Sequence, residues 1–311
     1  MPRWTVGSNQ HKKTAAIGVS GRAAEPNNAL TGPDDSIHPS LVETRINLLS
    51  TLSLLGEHRD AITLIGSHAV HERTKTLAGV DSTTTKDGDL AITPELVSDQ
   101  PSIESLMRSA GFEPKASSRP GQWFRGLDKD GNQTNSIDLL SPNAMAGRGR
   151  RSVGNLADVH GTIAVGRAEG IELATYDRDL LRLESLDGSG EYIEAWVAGT
   201  AALVCAKSYK LHERIADARN KSSEGRVQPK DASDLWRLIA TSDGSEVRAT
   251  FEEYASHPVI GDSVTKGMAM IRDLIESGEV VLLAELNLGQ QVAPGRIATD
   301  FDRWITEFEQ G

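Results

Sequence analysis

At 311 residues, 38% hydrophobic and 25% charged, the chain has the composition of an ordinary globular protein long enough for two cores. Its 33 basic and 44 acidic residues leave a net charge of −11, which argues against broad nonspecific nucleic-acid binding and leaves room only for a local basic patch. Cys205 is the single cysteine, so an internal disulfide is excluded; with no apolar run of membrane-spanning length and no signal-peptide core at the N-terminus, the expectation is a cytoplasmic protein without a membrane partner.

In chain order, residues 1–39 are rich in Gly, Ser, Asn, Pro and Ala and read as a loose arm. Ser40 and Glu43 then stand in capping-box spacing ahead of Val42, Ile46, Leu49, Leu52 and Leu55, which predict a helix with one buried stripe, ended by Gly56. The stretch 62–92 carries the densest signal. A short apolar run, 62–65, ends at Gly66 and Ser67 and opens into a helix-compatible segment; after a polar connection, a second strand-like run carries Asp87 and Asp89. Side chains two apart on a strand share a face, so these two carboxylates are placed to share a hard divalent cation, and the Gly-Ser turn offers backbone N–H groups and a hydroxyl to a polyphosphate.

Pro101 and Ser102 start a further helix ending at Gly111. Strands are expected at 122–127 and 134–140, joined by an Asp/Gly/Asn-rich turn at 128–132. Asp138 lies among the apolar residues of the second strand, where a lone carboxylate is costly unless it is paired or bound to metal; a solvated edge strand is the other account. Residues 143–160 read as a basic loop with Arg148, Arg150 and Arg151 among glycines, and strands are expected near 161–166, 171–176, 180–186 and 191–197, giving a mixed sheet.

From Gly199 the period becomes helical. Lys207, Lys210 and Arg214 recur at +3 and +4 and share a face. Between 207 and 230, these three with Arg219, Lys221, Arg226 and Lys230 outnumber Glu213, Asp217 and Glu224, a basic stripe for which a solvated helix face is the plain alternative. The next helix opens at Lys230 with Asp231 in its first turn, where capping alone would account for it, and Asp234 follows. Beyond 243 the chain is acidic, with Val264, Met268, Ile271, Leu274 and Ile275 at bundle spacing. Cys205, inside an apolar run, reads as a core thiol, and the histidines show no zinc spacing.

Gly66-Ser67, Asp87-Gly88-Asp89 and Asp138, in that order, resemble the DNA polymerase β-like nucleotidyltransferase superfamily. More narrowly, 203–207 with Arg214, followed by Lys230-Asp231 and Asp234-Leu235, is similar to the AbiEii/AbiGii toxin nucleotidyltransferases, including the MenT-like toxins, over about residues 41–242. The chain departs from that pattern with Thr83, Thr84 and Thr85 where many relatives have an arginine, and with Gly88 where an apolar residue is usual.

The resemblance implies an α/β (α+β) fold: a mixed-sheet nucleotidyltransferase domain at 40–198, a helical domain at 199–311 and a nucleoside triphosphate (NTP) site between them. It implies Mg²⁺ or Mn²⁺ on Asp87, Asp89 and Asp138, with Asp138 helping to deprotonate the attacking hydroxyl. Gly66 and Ser67 would hold the β- and γ-phosphates, with Lys210 and Arg214 also in the nucleotide site. Lys207 would neutralise departing pyrophosphate, oriented by Asp231 or Asp234. The implied acceptor is the 3′ end of tRNA and the implied partner a cognate antitoxin. A small-molecule nucleotidyltransferase of the aminoglycoside-modifying kind and a degenerate nucleotide-binding domain are the alternatives.

Overall fold

The structure, a computed structural model, describes residues 6–7, 37–81, 83–114, 119–127, 134, 136–149, 153–219 and 227–311. In chain order its elements are β1 (Val6–Gly7), α1 (Pro39–Leu54), β2 (Ile62–Ile65), α2 (Gly66–Thr74), β3 (Asp87–Ile92), α3 (Ile103–Ser109), β4 (Glu113–Pro114), β5 (Gln122–Phe124), β6 (Ser136–Pro142), α4 (Gly154–His160), β7 (Gly166–Ala168), β8 (Arg178–Glu184) and β9 (Tyr192–Ala198). Helices α5 (Thr200–Arg219), α6 (Pro229–Ala240), α7 (Gly244–Tyr254), α8 (Gly261–Glu276), α9 (Glu279–Leu288) and α10 (Arg296–Gln310) follow. This is an α/β fold with a mixed sheet followed by helices, the class expected.

The strands form one sheet in the order β1-β9-β2-β3-β6-β5-β4, with β7 on β6 and β8 on β9. β2 is antiparallel to β3 and parallel to β9, and β3 is parallel to β6. β2 is buried along its whole length, as its uninterrupted Ile-Thr-Leu-Ile run requires of a central strand. The buried apolar residues form a continuous cluster from Leu48 on α1 through Leu90 and Ile137 in the sheet to Trp236 and Phe308 among the helices.

Several local expectations are corrected. His38 caps α1 in place of Ser40: its Nδ1 accepts the Ser40 backbone N–H at 3.2 Å, and Pro39 takes the first helical position, where its missing donor costs nothing. The buried face is Leu41, Thr44, Arg45, Asn47, Leu48, Thr51, Leu52 and Leu55, which keeps Leu52 and Leu55 of the predicted stripe and leaves Val42 and Leu49 half-buried and Ile46 47% exposed. The face takes in Arg45, which periodicity of apolar residues passes over, because Arg45 pairs with Glu72 on α2 at 2.8 Å and donates to His68.

Within the expected 143–160 loop, residues 154–160 form α4, and the strand expected at 171–176 is a short 3₁₀ turn, Glu172–Thr175. Buried Glu172 there accepts a hydrogen bond from Ser263 on α8, a long-range contact that strand patterning does not register. Of the strand expected at 161–166 only Gly166 belongs to β7. Val6–Gly7, in the expected arm, pairs with β9. The expected turn at 128–132 lies outside the described residues, although β5 and β6 pair antiparallel as a hairpin would.

Candidate active site

The strand register assembles the first cluster. Asp89 stands directly opposite Asp138 on the parallel β3–β6 pair, and Asp87 is two residues back on the same face. One carboxylate oxygen from each lies within 4.8 Å of the others, and all three residues are half-buried. The opposite face, with Gly88, Leu90, Ile137 and Leu139, is packed into the core. Gln122 on β5 donates to Asp138 Oδ2 at 3.3 Å, and Thr85 donates to Asp87 Oδ1 at 2.7 Å.

Burial, followed by the Asp87 and Asp138 charges, raises the Asp89 carboxyl to about 7; Lys210 and Lys207 act against the rise. Three oxygen donors from carboxylates fit a hard cation such as Mg²⁺ or Mn²⁺, and the mutual repulsion that lifts Asp89 is what a cation would relieve.

Gly66 follows β2 and has φ of 68°, a conformation that favours glycine. Ile65 is paired with Asp89, so the turn is pressed against that acid, and a Cβ at Gly66 would overlap the Asp89 carboxylate. Gly88 has a different reason: a Cβ there would lie 2.9 Å from Ile137 Cδ1 and 3.1 Å from Leu48 Cδ1, so glycine lets α1 lie close on the sheet.

A second cluster joins α2, α5 and α6. Lys207 Nζ donates to Asp234 Oδ2 at 2.6 Å and lies 3.5 Å from Asp231 Oδ1; Lys210 reaches Asp231 Oδ1 at 3.1 Å, and Arg214 pairs with Asp231 Oδ2. Ser67 donates to Asp234 Oδ2 at 3.0 Å, Thr83 donates to Oδ1 of the same carboxylate at 2.6 Å, and Lys230 Nζ donates to Ser67 Oγ at 2.7 Å. Burial works against the Lys207 charge, and the Asp234 and Asp231 carboxylates override it, holding the ammonium above its ordinary range. Burial likewise opposes ionisation of Asp231, but Lys207, Lys210 and Arg214 bring it down to about 2; Asp234 is also lowered against its burial, by Lys207 and Lys230.

Asp231 is therefore far more than a helix cap, and Lys207 is 4% exposed instead of lying on a solvated face. The basic stripe does not stand free: Lys207, Lys210 and Arg214 are held by the α6 acids and Arg219 by Glu279 at 2.7 Å. Arg148 is exposed, on the segment that follows β6 beyond Pro142. Arg150, Arg151, Lys221 and Arg226 lie outside the described residues.

Lys230, Thr83, Thr85 and Gln122 were not assigned to the site from sequence. Thr83 and Thr85 are buried and Thr84 is exposed in the segment that leads into β3. Thr85 holds the acid cluster and Thr83 the cation cluster. Three consecutive threonines carry no polarity pattern, so the sequence marked neither Thr83 nor Thr85, and the pairing of Gln122 with Asp138 across strands had no local signal either. No protein-family model and no curated protein matches the chain.

Proposed function

We propose that the chain is a divalent-metal-dependent nucleotidyltransferase, moving a nucleoside monophosphate from an NTP to an acceptor hydroxyl. The single observation that carries this reading is the juxtaposition of a three-carboxylate cluster with a cation cluster across the Gly66-Ser67 turn, with Lys207 and Lys210 close enough to act electrostatically on Asp89. A metal bound by the acids and a triphosphate bound between them and the lysines would satisfy both clusters at once.

Asp87, Asp89 and Asp138 would hold Mg²⁺ or Mn²⁺, which when bound supplies charge neutralisation at phosphate oxygens and acidifies a coordinated hydroxyl. Gly66 keeps the turn narrow enough for its backbone to approach phosphate. Lys207, Lys210, Arg214 and Lys230 form one cation cluster held in place by Asp231 and Asp234, and the net positive charge of that cluster would offset charge on the triphosphate. The acceptor oxygen forms a bond to the α-phosphorus, its proton passes to the Asp138 carboxylate, and the bond to the β-phosphate oxygen breaks with its electron pair leaving on pyrophosphate.

The resemblance to AbiEii/AbiGii toxins supports a tRNA 3′ end as acceptor and an antitoxin as partner. A small-molecule acceptor is the second reading, favoured by the consumption of the 207–214 cations in ion pairs. Incubating the protein with each labelled NTP, Mg²⁺ and either total tRNA or an aminoglycoside panel decides the matter. Label is expected on RNA and is expected to vanish in Asp89→Ala. Label on the small molecule alone selects the second reading, and no label on either with any NTP overturns the nucleotidyltransferase reading.

A further inference from the structure

Four cations meet at the α2–α5–α6 junction, and they are not equivalent. Lys207, Lys210 and Arg214 each contact an α6 carboxylate. Lys230 contacts the Ser67 hydroxyl, and no carboxylate lies within ion-pairing distance of it among the described residues. Four positive groups share Asp231 and Asp234, so the cluster carries an excess of positive charge; Lys230 is the member without a contacting acid.

We propose that Lys230 is the side chain that grips the terminal phosphates of the bound NTP at the Gly66-Ser67 turn, in place of Lys207. This deepens the nucleotidyltransferase reading and rests on it. Ser67 in this arrangement gives its O–H to Asp234 and receives the Lys230 ammonium on its lone pair. Lys230 uses one of three N–H donors there, leaving a compact cation beside the turn where a polyphosphate would lie. Lys207, by contrast, is enclosed at 4% exposure and clamped by two carboxylates, so its charge is already compensated within the protein. Burial holds Lys230 below its ordinary range with Asp234 acting against it, the condition of a cation whose compensating anion is not fully supplied by the protein. Sequence position agrees: Lys230 lies in the first turn of α6, one residue before Asp231, so the helix that supplies the clamp would also carry the phosphate contact.

Calorimetric titration with inorganic pyrophosphate and with each of the four NTPs, in Mg²⁺, tests this on wild type, Lys230→Met, Lys230→Gln and Lys207→Met, alongside thermal unfolding without ligand. Lys230→Met is expected to keep the wild-type melting temperature and to lose about 30-fold in affinity for both pyrophosphate and NTP, the scale of a hydrogen bond to a charged group. Lys207→Met is expected to melt early without ligand, because Asp231 and Asp234 lose a buried cation. If Lys230→Met fails to fold, Lys230→Gln, which keeps a donor for Ser67 and removes the charge, carries the measurement. Wild-type affinity in a folded Lys230 variant overturns the Lys230 assignment alone. A wild-type protein that binds neither pyrophosphate nor any NTP overturns the nucleotidyltransferase reading and this assignment with it.

Discussion

Asp89 is the residue on which most of the local physics converges. It faces Asp138 across the parallel strand pair, shares a face with Asp87 and fills the space that a side chain at Gly66 would occupy. Its native carboxyl keeps a proton to about pH 7, whereas an ordinary aspartate releases it near 3.8. The stability contributed by the protonated group is therefore fully present below about pH 4 and is lost as pH rises through about 7. On the proposed metal site a divalent cation would replace that proton, so Mg²⁺ is expected to raise the melting temperature more at about pH 8 than at about pH 6. Asp89→Asn is expected to flatten the metal-free pH profile and abolish the Mg²⁺ response. Thermal unfolding across this pH range with and without Mg²⁺ checks both, and a Mg²⁺ shift that survives in Asp89→Asn removes this residue from the metal site.

At the scale of elements, α1 and β3 fit together through Gly88. The glycine looks like a weak point in a strand that must hold two acids, and its lack of a side chain is what allows Leu48 to pack beside Ile137. Gly88→Val would improve strand propensity and would also drive two methyl groups into that contact. The second effect wins, because a Cβ alone already stands closer than ordinary van der Waals contact to both neighbours. Gly88→Val is expected to destabilise by about 1–3 kcal/mol in urea unfolding. A neutral or stabilising result would mean that α1 yields easily and that the glycine has no packing role. The α5–α6 pair is fixed by charge as well as by apolar packing, since Asp231 draws three cations from α5 onto the first turn of α6.

For the whole molecule, the apolar core continues from the sheet into the helices, and the Ser67–Asp234 and Thr83–Asp234 hydrogen bonds cross between the two regions. The sheet and helical regions are therefore expected to unfold together, giving one calorimetric transition whose enthalpy matches the van't Hoff value. Two separated transitions would mean that the core is energetically divided near residue 199.

Local periodicity and turn chemistry suffice for much of this protein. Alternation puts Asp87 and Asp89 on one face, the +3 and +4 spacing puts Lys207, Lys210 and Arg214 on another, and Gly66 marks the only kind of residue tolerated against the strand end; each of these is set within a few neighbouring residues. The acid buried among apolar residues at 138 also signalled a paired environment, but its partner is decided by which residue of β3 lies opposite, a matter of sheet register. The same limit applies to the cation cluster, which the family resemblance implied and the residue spacing alone left open. A charged helix face reads identically whether water or carboxylates lie against it, and only the packing of α6 on α5 turns a basic stripe into a buried clamp. The polar part of the buried face of α1 has this cause too: Arg45 is polar by composition and buried beside Glu72, a partner 27 residues away that only the folded chain brings within 2.8 Å.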